Sequence, residues 1–142
     1  MGRRASREIA MKLLYQLEIQ KGDRNEQMEA VLEDSNLTEK DKEYIRDVVE
    51  GVHNNIKEID RIIETHSKGW KINRISKVDL SILRLSIYEI NYREDIPYIV
   101  SVNEAVVLAK KYSNEDSGSF INGILGKVPK PKTVSDEGKE EN

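Results

Sequence analysis

The chain has 142 residues, 23 Lys and Arg against 26 Asp and Glu for a formal charge of −3, 37% hydrophobic residues and no cysteine. A domain of this length buries roughly two-thirds of the surface its unfolded form exposes, so it needs no disulfide or metal to hold a core, and the missing cysteines exclude a disulfide scaffold and thiolate zinc sites. The apolar runs fall well short of the roughly 18 residues of a membrane span, and the Arg-bearing start lacks a secretory apolar stretch, so the expectation is a soluble, cytoplasmic protein.

The charge is unevenly placed. Arg3, Arg4, Arg7 and Lys12 outweigh Glu8 by three in the first twelve residues, while the remaining 19 basic and 25 acidic side chains leave the rest at −6. One basic pole on an acidic body differs from the evenly basic surface of a general polyanion binder.

All three prolines lie late, at Pro97, Pro129 and Pro131, so no obligate helix breaker interrupts the first 96 residues. Ile9, Ala10, Leu13, Leu14 and Leu17 form one apolar stripe at the helical period, which stops at Lys21-Gly22-Asp23. A short second helix holds Met28, Val31 and Leu32. Thr38 is placed to cap the next helix through the amide of Asp41. From Ile45 to Ile63 an apolar residue recurs every three or four positions, with a kink expected at Asn54-Asn55 and a stop at Ser67-Lys68-Gly69.

Between Ile75 and Ile90 the apolar residues spread around the helix rather than along one stripe, which predicts a central helix buried on most sides. Asp79 and Arg84 lie inside that run and need partners, either in an ion pair or at a contact surface. After Pro97, Ser101 and Glu104 have the spacing of a capping box and predict a helix start there. That helix continues through Tyr112 and closes at Ser113-Asn114. The last one carries Phe120, Ile121, Ile124, Leu125 and Val128 on one side. Residues 129–142 hold a single large apolar side chain, Val134, and are expected to be a disordered polar tail.

Catalytic constellations fail at named residues. Glu50-Gly51-Val52-His53 is one Glu-x-x-His of the di-iron kind, but His66 has Ile63 where the second copy needs Glu. Gly118 and Gly123 have phosphate-loop spacing, yet Ile124 and Leu125 replace the required Lys and Ser or Thr. The reading is therefore a binding module, without enzymatic activity and without a metal or other cofactor. At about 100° per residue Arg3, Arg4 and Arg7 span an arc narrow enough to grip adjacent phosphates, and Tyr15 lies two turns on, near the same side. Tyr15 and Phe120 are both of a type that stacks on unpaired bases, so these features allow binding of single-stranded RNA.

Four blocks resemble the bacterial transcription antitermination factors of the NusB family. They are Arg3-Arg4-Ala5-Ser6-Arg7-Glu8 leading into Leu14-Tyr15, and Val78-Asp79 with Ile82-Leu83-Arg84 and Tyr88-Glu89. The third is Ile96-Pro97-Tyr98 with Val102-Asn103-Glu104-Ala105, and the fourth is Glu115-Asp116-Ser117 with Phe120 to Leu125. The resemblance implies an all-α fold of about seven helices within residues 1–128, arranged as two small bundles at about 1–68 and 69–128. It implies binding of the boxA segment of nascent ribosomal RNA transcripts together with NusE, a small ribosomal protein, within the RNA polymerase antitermination complex that reads through terminators. Carried over residue by residue, it places Arg3, Arg4, Arg7, Tyr15, Asp116 and Phe120 at the RNA, and Asp79 at the surface facing NusE. Arg84, Asn103 and Glu104 are read as structural. A homodimer that buries the arginine helix would hide the RNA site.

Two other classes compete. Helical domains of this type occur fused ahead of RNA cytosine methyltransferases, but this chain has neither a cofactor-binding glycine loop nor a cysteine. A protein-protein adaptor without an RNA role is separated from the leading reading by RNA affinity that depends on the arginines.

Overall fold

The computed structural model describes residues 2–129. Within them are seven helices and one 3-10 turn: α1 (Arg3–Ile19), α2 (Arg24–Leu32), α3 (Glu39–Asn54), α4 (Ile56–His66), the turn Ile72–Arg74, α5 (Lys77–Tyr92), α6 (Tyr98–Tyr112) and α7 (Glu115–Leu125). No strand occurs among the described residues, as the all-helical reading requires. The polar tail expected from residue 129 onward lies outside the described residues from position 130.

Local chemistry sets the helix ends. Thr38 accepts from the amide of Asp41 while the Asp41 carboxylate accepts from the amide of Thr38, a reciprocal cap that satisfies two orphan donors. The long periodic stretch that follows does break at the asparagines. Asn55, at φ −117° and ψ 21°, leaves the helical region and turns its side-chain amide back onto the carbonyl of Gly51 at 2.8 Å, and α4 starts afresh at Ile56. At the end of α4, Lys68 and Gly69 take φ values of 52° and 90°, the left-handed conformation in which a residue without Cβ is least strained.

α5 organises the molecule. Every residue from Asp79 to Ile90 is buried, because α1, α3, α4, α6 and α7 all pack against it. Leu80, Ile82, Leu83, Leu85 and Ile87 have at most a trace of exposure, and each contributes on the order of 1.5–3 kcal/mol by burial. The approach of α3 is close enough to demand glycine at position 51: a Cβ there would sit 2.1 Å from the ring of Tyr88. Arg84, the awkward cation of this helix, donates to both carboxylate oxygens of Asp60 at 2.9 Å and to Glu18 at 3.0 Å, so it is a structural ion pair.

One local expectation is corrected. α6 does not start at Ser101 with a capping box; it starts at Tyr98, behind Pro97, whose fixed φ suits a helix entrance. Ser101 is a full turn inside, buried, and its hydroxyl donates to Glu89 of α5 at 2.8 Å. Glu104 reaches across to α1 instead of back to its own helix.

Candidate nucleic-acid and protein interface

The three arginines of α1 have three different fates. Arg7 is 3% exposed. It donates to Glu89 at 2.8 and 3.3 Å and lies 3.5 Å from Glu104. Glu89 itself is fully buried and also accepts from the Tyr44 and Ser101 hydroxyls, so the whole cluster is mutually satisfied. The expectation that Arg7 shares an outward face with Arg3 and Arg4 is therefore corrected: the arc is narrow enough, but its middle points inward, where a buried carboxylate holds the guanidinium.

Arg4 is exposed and makes a forked pair with Glu104 at 2.9 and 2.6 Å, which holds that carboxyl below the usual carboxylate range. Arg3 is exposed and lies 4.5 Å above the Tyr44 ring, with no ion pair among the described residues. These two remain available to an anion.

Farther along the outward side of α1, Glu8 gathers the end of α6. It accepts from Lys111 at 3.0 and 3.1 Å and from the Tyr112 hydroxyl, and Lys12 lies 3.8 Å away. The Tyr112 hydroxyl is the main reason its carboxyl is held low. Lys12 and Lys111 flank the Tyr112 ring at 5.2 and 5.4 Å from its centroid. One carboxylate thus serves two exposed lysines. Sequence reasoning missed Lys111; the signal was the Lys110-Lys111 pair in the last turn of α6. Tyr15 is half-buried on this same helix, one turn beyond Lys12.

The remaining expected residues meet at the opposite end of α5. Asn114 caps α7 by accepting from the amide of Ser117 at 2.8 Å. Ser117 then donates its hydroxyl to Asp79 at 3.0 Å and locks the start of α7 onto the start of α5. Beside this junction is a cavity of about 380 Å³ lined by Asp79, Asp116, Phe120, Trp70 and Arg74, among others. Asp116 is exposed at its edge. Phe120 is half-buried and meets Trp70 edge to face, with ring centroids 6.0 Å apart. Asp79 is 7% exposed, and one of its carboxylate oxygens is buried without a hydrogen-bond partner. Burial pushes this carboxyl above the usual Asp value. Asp79, Asp116 and Phe120 are thus brought together, although the sequence separates the first from the others by more than 35 positions. Tyr15, Arg3 and Arg4 do not line this cavity.

Among the described residues no helix is long and apolar enough to cross a membrane. The arrangement suits recognition: an exposed basic strip on α1 and α6, and an acidic, aromatic recess at α5 and α7.

Comparison with known proteins agrees with the four sequence blocks. The NusB family model matches residues 4–130. A transcription antitermination protein NusB of Acetivibrio thermocellus is 66% identical over 140 residues, covering 99% of this chain and 97% of its own. That of Clostridium novyi is 48% identical, over 92% and 99% of the two chains. Among solved structures, Thermotoga maritima NusB superposes with a TM-score of 0.88 at 35% identity over 98% of each chain. A chain from a crystal structure of the antitermination factors NusB and NusE in complex with double-stranded RNA does so with a TM-score of 0.80 at 30% identity, over 89% of this chain and 94% of that one. With a family model spanning nearly all of the described helices and relatives this similar over nearly full length, the chain belongs to the NusB family.

Proposed function

We propose that this chain is a transcription antitermination factor that binds the boxA segment of nascent ribosomal RNA jointly with NusE and so helps RNA polymerase read through terminators. The observation that carries this reading is local: on a chain of net charge −3, the exposed cations Arg4, Lys12 and Lys111 lie along α1 and α6 with only two partner carboxylates, Glu8 and Glu104, and exposed Arg3 adds a further positive charge at the start of α1. A phosphate backbone is the natural ligand of such a strip. The family relatives and the RNA-bound NusB–NusE pair support the same assignment.

In this reading Arg3 and Arg4 contact phosphate, and Tyr15 stacks on a base. Arg7 acts from the interior, by fixing the N-terminal turn of α1 against α5 through Glu89. Asp116 accepts from a base amino group and Phe120 offers an aromatic surface beside it, while Asp79 faces NusE.

Fluorescence anisotropy of a labelled boxA-type single strand, its scrambled control and a boxA-containing duplex tests the proposal, with and without NusE. Selective binding that NusE tightens is expected. Replacing Arg3 and Arg4 by Ala removes two phosphate contacts and should make the slope of log K against log salt shallower by about 1.4 for a single strand. Equal or absent binding to all three RNAs by folded protein, even with NusE, would instead favour a protein-protein adaptor.

A further inference from the structure

We propose that the cleft enclosed by α1, α3 and the start of α4 binds a small carboxylic acid with a ring-sized apolar body. None of the residues assigned above to RNA or to NusE lines this cleft, so the inference stands or falls independently of the antitermination reading.

The cleft has a volume of about 340 Å³. That is near the small end of the roughly 300–1,000 Å³ typical of ligand sites, and it suits one ring rather than a nucleotide or a peptide. Its floor is apolar, built from Leu14 and Leu17 of α1, Val49 and Val52 of α3 and Ile56 of α4. The break at Asn55 separates Val52 from Ile56, so two consecutive helices each contribute to one wall.

The rim supplies one open charge. Arg84 reaches the cleft already matched by Asp60 and Glu18, and Glu18 is also held by Lys77 at 3.2 Å. Arg24, the first residue of α2, is different. Its side chain is 29% exposed and its ion pair is with Glu50, 3.6 Å from Nη2, while its Nε is buried with no hydrogen-bond partner. A close charge-assisted hydrogen bond spans roughly 2.7–2.9 Å, so Glu50 leaves this guanidinium underused. A buried donor without an acceptor is costly, and a carboxylate is the group that takes two neighbouring guanidinium N–H donors side by side.

Floor and rim together select the ligand. An acid group on Arg24 with an apolar body over the floor satisfies both. A cation meets Arg24 and Arg84, a neutral apolar molecule leaves Nε unpaired, and a bare phosphate forgoes the apolar floor.

His53 lines the cleft and His66, the only other histidine, does not. The two imidazole C–H signals in a proton NMR spectrum therefore give a reporter and an internal control. The full-length protein is titrated at fixed pH with 4-methylbenzoate, and with 4-methylbenzamide, 4-methylbenzylamine and inorganic phosphate for comparison. The expected result is a saturable shift of the His53 signal with the benzoate while His66 stays in place, and at least tenfold weaker binding of the other three. Arg24→Gln, with circular dichroism and melting confirming that it folds, should bind the benzoate at least tenfold more weakly and lose the preference for it over the amide. Ile56→Trp fills the floor and should abolish the response to both. No saturable shift, equal binding of benzoate and benzamide, parallel movement of His66, or unchanged affinity in Arg24→Gln or in folded Ile56→Trp would overturn the inference.

Discussion

Glu89 and Asp79 lie ten residues apart on the same helix, both buried, and the protein treats them in opposite ways. Glu89 receives the Arg7 guanidinium and the hydroxyls of Tyr44 and Ser101, so α1, α3 and α6 each send a donor to one carboxylate of α5. Asp79 receives the Ser117 hydroxyl, has the Ser76 hydroxyl beside it, and keeps one oxygen unpaired. A buried charge fully compensated by its own fold fixes how helices sit on one another. A buried charge half compensated is kept at a cost to the free protein, which selection tolerates where something else completes it.

The contrast can be broken most severely at Glu89. Glu89→Ala leaves Arg7 charged and buried without its main partner and strands two hydroxyls, so urea denaturation should show a loss of about 3–5 kcal/mol. A loss below 1 kcal/mol would mean that the cluster does not hold the helices together. Gly51→Ala tests the neighbouring contact by pushing a methyl group into the Tyr88 ring. Overpacking of this kind costs about 1–3 kcal/mol. Because Tyr88 donates to Asp47 from that position, the loss should shrink when Tyr88→Phe has already removed the hydrogen bond.

Asp79 should respond with the opposite sign. Its carboxyl titrates above the ordinary Asp value of 3.8, so the folded state binds the proton more tightly than the unfolded one. Its contribution to stability is then fully present below pH 3.8 and is lost as pH rises through the raised folded value. Asp79→Asn is therefore expected to stabilise the isolated protein at pH 7, by on the order of 1 kcal/mol, an advantage that vanishes toward pH 3.8. Glu104 behaves in reverse. Arg4 holds its carboxyl below the ordinary 4.5, so its contribution is present above that value and fades as the solution is acidified. Parallel melting curves of Asp79→Asn and Glu104→Gln across this range decide whether the two signs differ. The smallest stability effect belongs to Arg3→Ala, within about 0.5 kcal/mol because the side chain is exposed and makes no ion pair among the described residues. Its effect should appear in the salt dependence of RNA binding, and a large drop in melting temperature would show that Arg3 is structural after all.

What was legible in the sequence followed from local chemistry. The Thr38 cap, the break at Asn54-Asn55 and the encircled α5 depend on spacing within a few turns, where side chain and backbone interact directly. The errors lie where a residue had two possible partners and the winning one was distant. Ser101 and Glu104 had capping-box spacing, yet Glu89 and Arg4 claimed them across the core. Arg7 looked like a third phosphate contact because an arc in projection does not say which residues face the neighbouring helix. Glu89 was named only within a block of resemblance and given no role, although it interrupts the most apolar helix, where its charge already called for a cation. Arg84, flagged for that reason, proved to be an ion pair. The recess itself was not legible as a recess, because it needs α5 and α7 side by side, a juxtaposition made by Ser117 and Asp79 across 38 positions.

The encirclement of α5 has a consequence for how the protein breathes. A helix clamped by five others cannot open alone, so its amide protons should exchange with deuterium only when the whole molecule unfolds, whereas those of α2 exchange through small local openings. The slowest amides from Leu80 to Ile90 then serve as an internal gauge. Any ligand that binds only the folded state must slow them by a factor fixed by its concentration and dissociation constant, so occupancy at either surface can be measured from the centre of the protein without a label.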